Sequence, residues 1–153
     1  MKSVHPHETT FNHIGLCVTD LERSKRFYVD ALGFTYWWEL EAPEESSRLV
    51  MLDTPLELKA TYLVRDGLVL ELLTFHPDRL LPVRPRTLAE PGLTHISMTV
   101  PDLDAAMERV VQFGGQALPE THSGTAVMVR DPDGQLIELL TPEFRDARPP
   151  WPG

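Results

Sequence analysis

Between Asn12 and Val18 the chain alternates, with Ile14, Leu16 and Val18 on one face and His13, Gly15 and Cys17 on the other, the period-two pattern of a half-buried strand. Thr19-Asp20 then offers an N-cap, and Leu21, Ser24, Phe27, Tyr28 and Ala31 recur at helical spacing until Gly33 supplies a stop. Aromatic and branched residues in Thr35 to Glu41, Glu57 to Arg65 and Leu68 to Phe75 predict three further strands. Asp66-Gly67 between the last two is a hairpin signal. Residues 42–56 have no clear period and form an insertion between the second and third strands.

The pattern then repeats. Phe11-Asn12-His13-Ile14 through Asp20-Leu21 to Gly33 returns 82 residues later as Leu93-Thr94-His95-Ile96 through Asp102-Leu103 to Gly115. Asp66-Gly67 through Glu71 to Thr74 returns 67 residues later as Asp133-Gly134 through Glu138 to Thr141. In the second copy Ile96, Met98 and Val100 oppose His95, Ser97 and Thr99. Pro101-Asp102 opens a helix carrying Leu103, Ala106, Val110 and Phe113 to Gly114-Gly115. Strands follow at Gln116 to Leu118, Ala126 to Arg130 and Gln135 to Thr141, the last two joined by Asp131-Pro132-Asp133-Gly134. Each half reads as βαβββ, so the class is α+β. One domain over 1–153 is expected, with module 1 at about 10–76, a Pro-rich linker at about 77–92, module 2 at about 93–143 and an extended tail over 144–153.

Composition narrows the setting. A chain of 153 residues fits one compact domain. It has no apolar run long enough to cross a membrane, and Met1 to His7 lack an apolar signal core, so a cytoplasmic protein is expected. The single cysteine, Cys17, cannot form an intrachain disulfide and suits a reducing compartment. A net charge of −9 offers no basic excess to displace counterions, which argues against nucleic-acid or anionic-membrane partners.

The chemistry lies in the repeat. Glu71 sits in Leu68-Val-Leu-Glu-Leu-Leu-Thr-Phe75, apolar on both faces, and Glu138 sits likewise in Leu136-Ile-Glu-Leu-Leu140; a carboxylate there is costly unless paired or bound to a cation. A half-solvated strand position is the plainer explanation for either Glu alone. With His13 and His95 also matched, the four residues read as a metal site. Two imidazoles and two carboxylates suit one divalent Ni, Co, Zn, Fe or Mn per chain better than Cu(I) or Ca. Zn with four protein ligands would instead be a closed, structural site. His5, His7, His76 and His122 are expected at the surface, and Cys17 as a small filler near the pocket. Tyr36, Trp37, Trp38, Tyr62 and Phe75 are candidate pocket wall or core. Lys25, Arg26, Arg48, Lys59, Arg65, Arg84 and Arg86 are candidate anion ligands or plain surface charges.

The paired βαβββ modules, the openings His13-Ile14 and His95-Ile96 followed by Val-x-Asp-Leu, and the closing Asp-Pro-Asp-Gly-x-x-x-Glu-Leu resemble the vicinal oxygen chelate superfamily, over roughly residues 10 to 143. This superfamily includes glyoxalase I, methylmalonyl-CoA epimerase, extradiol dioxygenases, and fosfomycin and bleomycin resistance proteins. The resemblance implies modules that curl into a barrel-like mixed sheet with helices outside, metal ligands at His13, Glu71, His95 and Glu138, and a homodimer. It also implies a lyase or isomerase that moves a proton next to a carbonyl through a metal-stabilised enolate or enediolate, with Glu138 as base and Glu71 as its counterpart. The substrate class would be a small carbonyl compound, thioester or hemithioacetal. The quartet resembles that of glyoxalase I, whereas the epimerase usually has Gln at the position of Glu71. An extradiol-type dioxygenase, which needs only two His and one carboxylate, an antibiotic-resistance enzyme and a non-catalytic binding protein are the alternatives.

Overall fold

A computed structural model describes residues 8–150. Module 1 contributes strands β1 (Ile14–Cys17), β2 (Thr35–Glu41), β3 (Lys59–Arg65) and β4 (Leu68–Thr74). Module 2 contributes β5 (His95–Thr99), β6 (Gln116–Leu118), β7 (Ala126–Arg130) and β8 (Leu136–Leu140). Each module forms its own four-stranded mixed sheet, in the orders β1-β4-β3-β2 and β5-β8-β7-β6. The two opening strands pair parallel with the closing strand of their module, and the remaining pairs are antiparallel. The α+β class and the tandem βαβββ order stand as expected. The barrel-like sheet is present as two separate, unclosed halves.

The helices obey their caps. The Asp20 carboxylate accepts the Arg23 backbone N–H at 3.0 Å to start α1 (Leu21–Arg26), and Asp102 accepts that of Ala105 at 2.9 Å to start α3 (Leu103–Gln112). The first helix differs from the uniform run expected up to Ala31. After Arg26 it widens into a π-helical turn over Phe27–Ala31, within which both Phe27 and Tyr28 are fully buried.

The insertion between β2 and β3 holds a 3₁₀ turn at Glu44–Ser46 and a short helix, α2 (Ser47–Val50). The Glu44 carboxylate ties it down by accepting the backbone N–H groups of Leu56 and Glu57. The tail is not extended from residue 144. A helix, α4 (Pro142–Asp146), forms first, because Pro at an initial helical position is already set at helical φ and its missing N–H costs nothing there.

One buried cluster serves both modules. Phe27, Tyr28, Leu63, Leu70 and Leu72 from module 1 stand in it with Val110, Val127, Val129, Ile137 and Leu139 from module 2. The Asp-Pro-Asp-Gly loop, expected only as a turn, is also the clasp between modules. Asp131 accepts the Tyr28 hydroxyl at 3.0 Å, and Asp133 accepts the Thr19 backbone N–H at 2.9 Å and an Arg23 guanidinium N–H at 2.6 Å. Burial pushes the Tyr28 phenol well above its ordinary pKa, helped by the Asp131 charge, and burial also raises Asp131. Gly115 has a packing reason as well as a sequence one: a Cβ there would lie 2.5 Å from the Arg130 carbonyl oxygen and 2.7 Å from Phe27 Cε2. Gly114, at φ 88°, is the residue that makes the left-handed turn out of α3.

Candidate metal centre

The parallel register sets Gly15 beside Glu71 and Ser97 beside Glu138, so each His, two residues earlier on its strand face, stands next to the Glu of its own module. His13 Nε2 lies 3.1 Å from Glu71 Oε2, and His95 Nε2 lies 3.6 Å from Glu138 Oε2. The other ring nitrogen is engaged locally in both copies: His13 Nδ1 faces Asn12 Oδ1 at 2.6 Å, and His95 Nδ1 faces Thr94 Oγ1 at 2.8 Å. The residue before each His therefore orients the ring and turns Nε2 toward the carboxylate. Metal-binding imidazoles are commonly supported in this way.

The carboxylates are supported by different means. Tyr62 on β3 donates its hydroxyl to Glu71 Oε1 at 2.6 Å, and its ring stacks on Trp38 with centroids 4.5 Å apart. Partial burial, then the hydrogen bond to Glu71, push the Tyr62 phenol up to about 12, so it remains a donor. In module 2 the position facing Glu138 from β7 is Met128, and the donor is Ser97 on β5, whose hydroxyl reaches Glu138 Oε2 at 2.8 Å. Glu71 has both oxygens occupied, by Tyr62 and His13. Glu138 Oε1 has no hydrogen-bond partner among the described residues.

Within one chain these four residues form two pairs. Among the described residues no group of three or more His, Cys, Asp or Glu side chains is arranged to hold a metal. Both pairs sit on sheet faces turned away from the core: His13, Gly15 and Cys17 are exposed along β1, as are His95, Ser97 and Thr99 along β5. The apolar residues two places before each His are exposed as well, Phe11 at 73% and Leu93 at 71%. The donor set nonetheless fits a divalent cation, with two imidazoles whose Nε2 atoms face carboxylates and two carboxylates held by hydroxyl groups.

The remaining candidates scatter. His76 accepts the Asp78 backbone N–H and caps a 3₁₀ turn, and His122 accepts that of Gly124, so each has a local structural part. His5 and His7 lie outside the described residues. Tyr36, Trp37 and Trp38 are exposed on the edge strand β2, and Cys17 and Phe75 line a cavity beside β1. Lys25 pairs with Glu22, Lys59 with Glu41, and Arg84 and Arg86 with Glu90. Arg65 donates to the Leu32 carbonyl oxygen. The parts played by Asn12, Thr94, Tyr62 and Ser97 escaped sequence reasoning. The signal for Asn12 and Thr94 was available, since both are polar and both precede a matched His.

Two tandem βαβββ modules, each pairing a His and a Glu across parallel strands, define a scaffold of the vicinal oxygen chelate type. A family model for the Glyoxalase/Bleomycin resistance protein/Dioxygenase superfamily matches residues 10–139, and the chain belongs to that superfamily. Among curated relatives it is 34% identical over 119 residues to the uncharacterized protein YwkD of Bacillus subtilis, covering 78% of this chain and 77% of that protein. It is 30% identical over 154 residues to the uncharacterized protein YaeR of Escherichia coli, covering 91% and 95%. A glyoxalase family protein from Bacillus cereus shares the fold with a TM-score of 0.75 at 18% identity, covering 90% of this chain and 98% of that one. The trypanothione-dependent glyoxalase I of Leishmania major does so with a TM-score of 0.65 at 24% identity, covering 88% and 87%.

Proposed function

We propose that the chain is a divalent-metal-dependent lyase or isomerase of the glyoxalase I or epimerase type, and that it transfers a proton at the carbon next to a carbonyl. The observation that carries this reading is the pair of matched His–Glu sets, 3.1 and 3.6 Å apart, each with an oriented imidazole and a hydroxyl-held carboxylate. Because one chain keeps the sets apart, the active form is a homodimer in which His13 and Glu71 of one copy face His95 and Glu138 of another. Exposed Phe11 and Leu93, flanking the two sets, supply apolar surface for that contact.

A bound divalent ion, Ni, Co, Zn, Fe or Mn, would act as a Lewis acid on carbonyl oxygens. The proton is the business of the carboxylates. Glu138 suits the base, since Oε1 is unengaged while Ser97 fixes Oε2. Glu71, tethered by Tyr62 and backed by the Trp38 ring, suits a fixed ligand and counterpart on the opposite face. The stacked rings add an apolar surface beside the Tyr62–Glu71 bond.

The test is deuterium wash-in. Metal-loaded protein in D₂O should label the carbon next to the carbonyl of a thioester or hemithioacetal without consuming O₂, and Glu138→Gln, at saturating metal, should lower exchange by about 10² to 10⁴-fold. Catechol-dependent O₂ uptake with Fe(II) would replace this reading with a dioxygenase.

A further inference from the structure

We propose that the cavity between β1 and the linker is an anion subsite in which Arg79 binds a carboxylate or phosphoryl group at the far end of the substrate. The carbonyl end would then lie beside Glu71. The assignment of a carbonyl end rests on the proton-transfer reading, whereas the anion subsite stands on its own observations.

The cavity has a volume of about 530 Å³ and runs from Gly15 and Cys17 on β1 to linker residues 79–84 and 86. Three arginines line it, and two are already committed: Arg84 and Arg86 both face Glu90, at 2.8 and 3.6 Å. Arg79 differs. Its Nε is buried and has no hydrogen-bond partner, and no ion pair involves its guanidinium among the described residues. A guanidinium presents Nε and Nη as a planar fork that matches the two oxygens of a carboxylate or phosphoryl group, so the one cavity-lining arginine with an unpartnered Nε and no ion pair among the described residues is the one free to take such a group.

The acidic residues of the same wall do not compete for Arg79. Asp131 is engaged by Tyr28 and by the backbone N–H groups of Asp133 and Gln135, and Asp133 by Thr19 and Arg23. Cys17 adds no charge, because partial desolvation of its thiol within the cavity and then the nearby Asp133 raise its pKa. Phe75, Leu80 and Pro82 make the rest of the wall apolar, which suits a hydrocarbon spacer between two polar ends.

Gly15 connects the cavity to the metal-ligand face. A Cβ at this position would meet Glu71 Oε2 at 3.4 Å, so the β1 end of the cavity lies within contact range of that carboxylate. At the matched position in module 2, Ser97 fills the space and bonds Glu138. Gly15 and the unpartnered arginine line the same cavity.

The Nε–Hε resonance of Arg79, followed by NMR on the full chain, tests the subsite with inorganic phosphate and with acetate as probes. Saturable, one-to-one movement of that resonance with either anion is expected. Arg79→Gln should weaken binding at least tenfold, Arg79→Lys should weaken it less, and Arg84→Gln should leave it within about threefold, as expected of a residue already paired with Glu90. The tighter probe identifies the group as phosphoryl or carboxylate. Binding should persist in His13→Ala, so loss of the metal centre and loss of the subsite are separable. In the deuterium assay the bound anion should compete with substrate in wild type. An unmoved Arg79 resonance with both anions, or undiminished binding in Arg79→Gln, overturns the subsite; anion binding without competition overturns its role for substrate.

Discussion

Tyr62 holds Glu71 from the neighbouring strand at 2.6 Å, a bond that the matching module cannot make because Met128 occupies that position opposite Glu138. The two carboxylates are thus equivalent in the repeat and unequal in the fold. A hydroxyl on a cross-strand neighbour fixes Glu71, and a hydroxyl on the parallel neighbour fixes Glu138.

Tyr62→Phe keeps the ring that stacks on Trp38 and removes only the donor. Metal affinity should fall by about 10 to 100-fold, the usual cost of losing an outer-sphere partner, with folding stability nearly unchanged. Competition titration against a chromophoric chelator reads this directly. Ser97→Ala should weaken binding over the same range through Glu138, whereas Met128→Leu should not.

Mixing two defective chains tests where the ligands meet. His13→Ala and His95→Ala homodimers should each lose their metal, and co-refolded mixtures should recover about one ion per heterodimer, since one of its two sites then carries all four wild-type residues. No recovery would place the four ligands within a single chain. Light scattering should give about twice the 17.3 kDa chain mass, and chelation should shift the equilibrium toward monomer without unfolding, because the buried core excludes both His–Glu pairs.

Alkaline pH should loosen the clasp between modules. The buried Tyr28 phenol keeps its proton well above its ordinary value of 10.0, whereas the unfolded chain releases it near there. Above about pH 10 the unfolded state binds fewer protons than the folded one, so stability falls as pH rises. Urea titrations from pH 8 to 11 should show this decline, and it should flatten in Tyr28→Phe. At neutral pH that variant should lose about 1.5 to 3 kcal/mol, the usual value of a hydrogen bond to a charged group.

Gly115→Ala should cost about 1 to 3 kcal/mol in chemical denaturation by overpacking, because backbone and core atoms already stand where the methyl would go. Gly124, with open space around it, should cost only its backbone strain at φ 91°, about 1 kcal/mol.

Periodicity, aromatic and branched runs and the repeat were enough to place every strand of both sheets: β1 and β5 alternate between a core face and an exposed one, whereas β2 is exposed along most of its length and β8 is buried on both faces. The four His and Glu positions were legible for the same reason: they recur at the same register within duplicated strands. Interactions that the repeat does not duplicate were not legible. The Tyr62 bond to Glu71 depends on antiparallel pairing between β3 and β4, and nothing in module 2 echoes it. Nothing in the sequence separates Arg79 from Arg84 and Arg86, because pairing with Glu90 and an unpartnered Nε are properties of the fold. The start of the tail expected to be extended from residue 144 belongs to a helix instead, because Pro142 just before it begins one. The separation of the two His–Glu sets depends on how whole modules pack, which local pattern does not encode.

The shared core makes each copy of the repeat depend on the other. Phe27 and Tyr28 of the first copy share one buried cluster with Val110, Val127 and Val129 of the second, and the loop between β7 and β8 of the second copy is anchored to the helical segment after β1 of the first. A gene fragment encoding either half would inherit an unfinished interior, with a phenol or a carboxylate stranded where its mate used to be. The two halves of this chain are therefore complementary parts and not interchangeable copies.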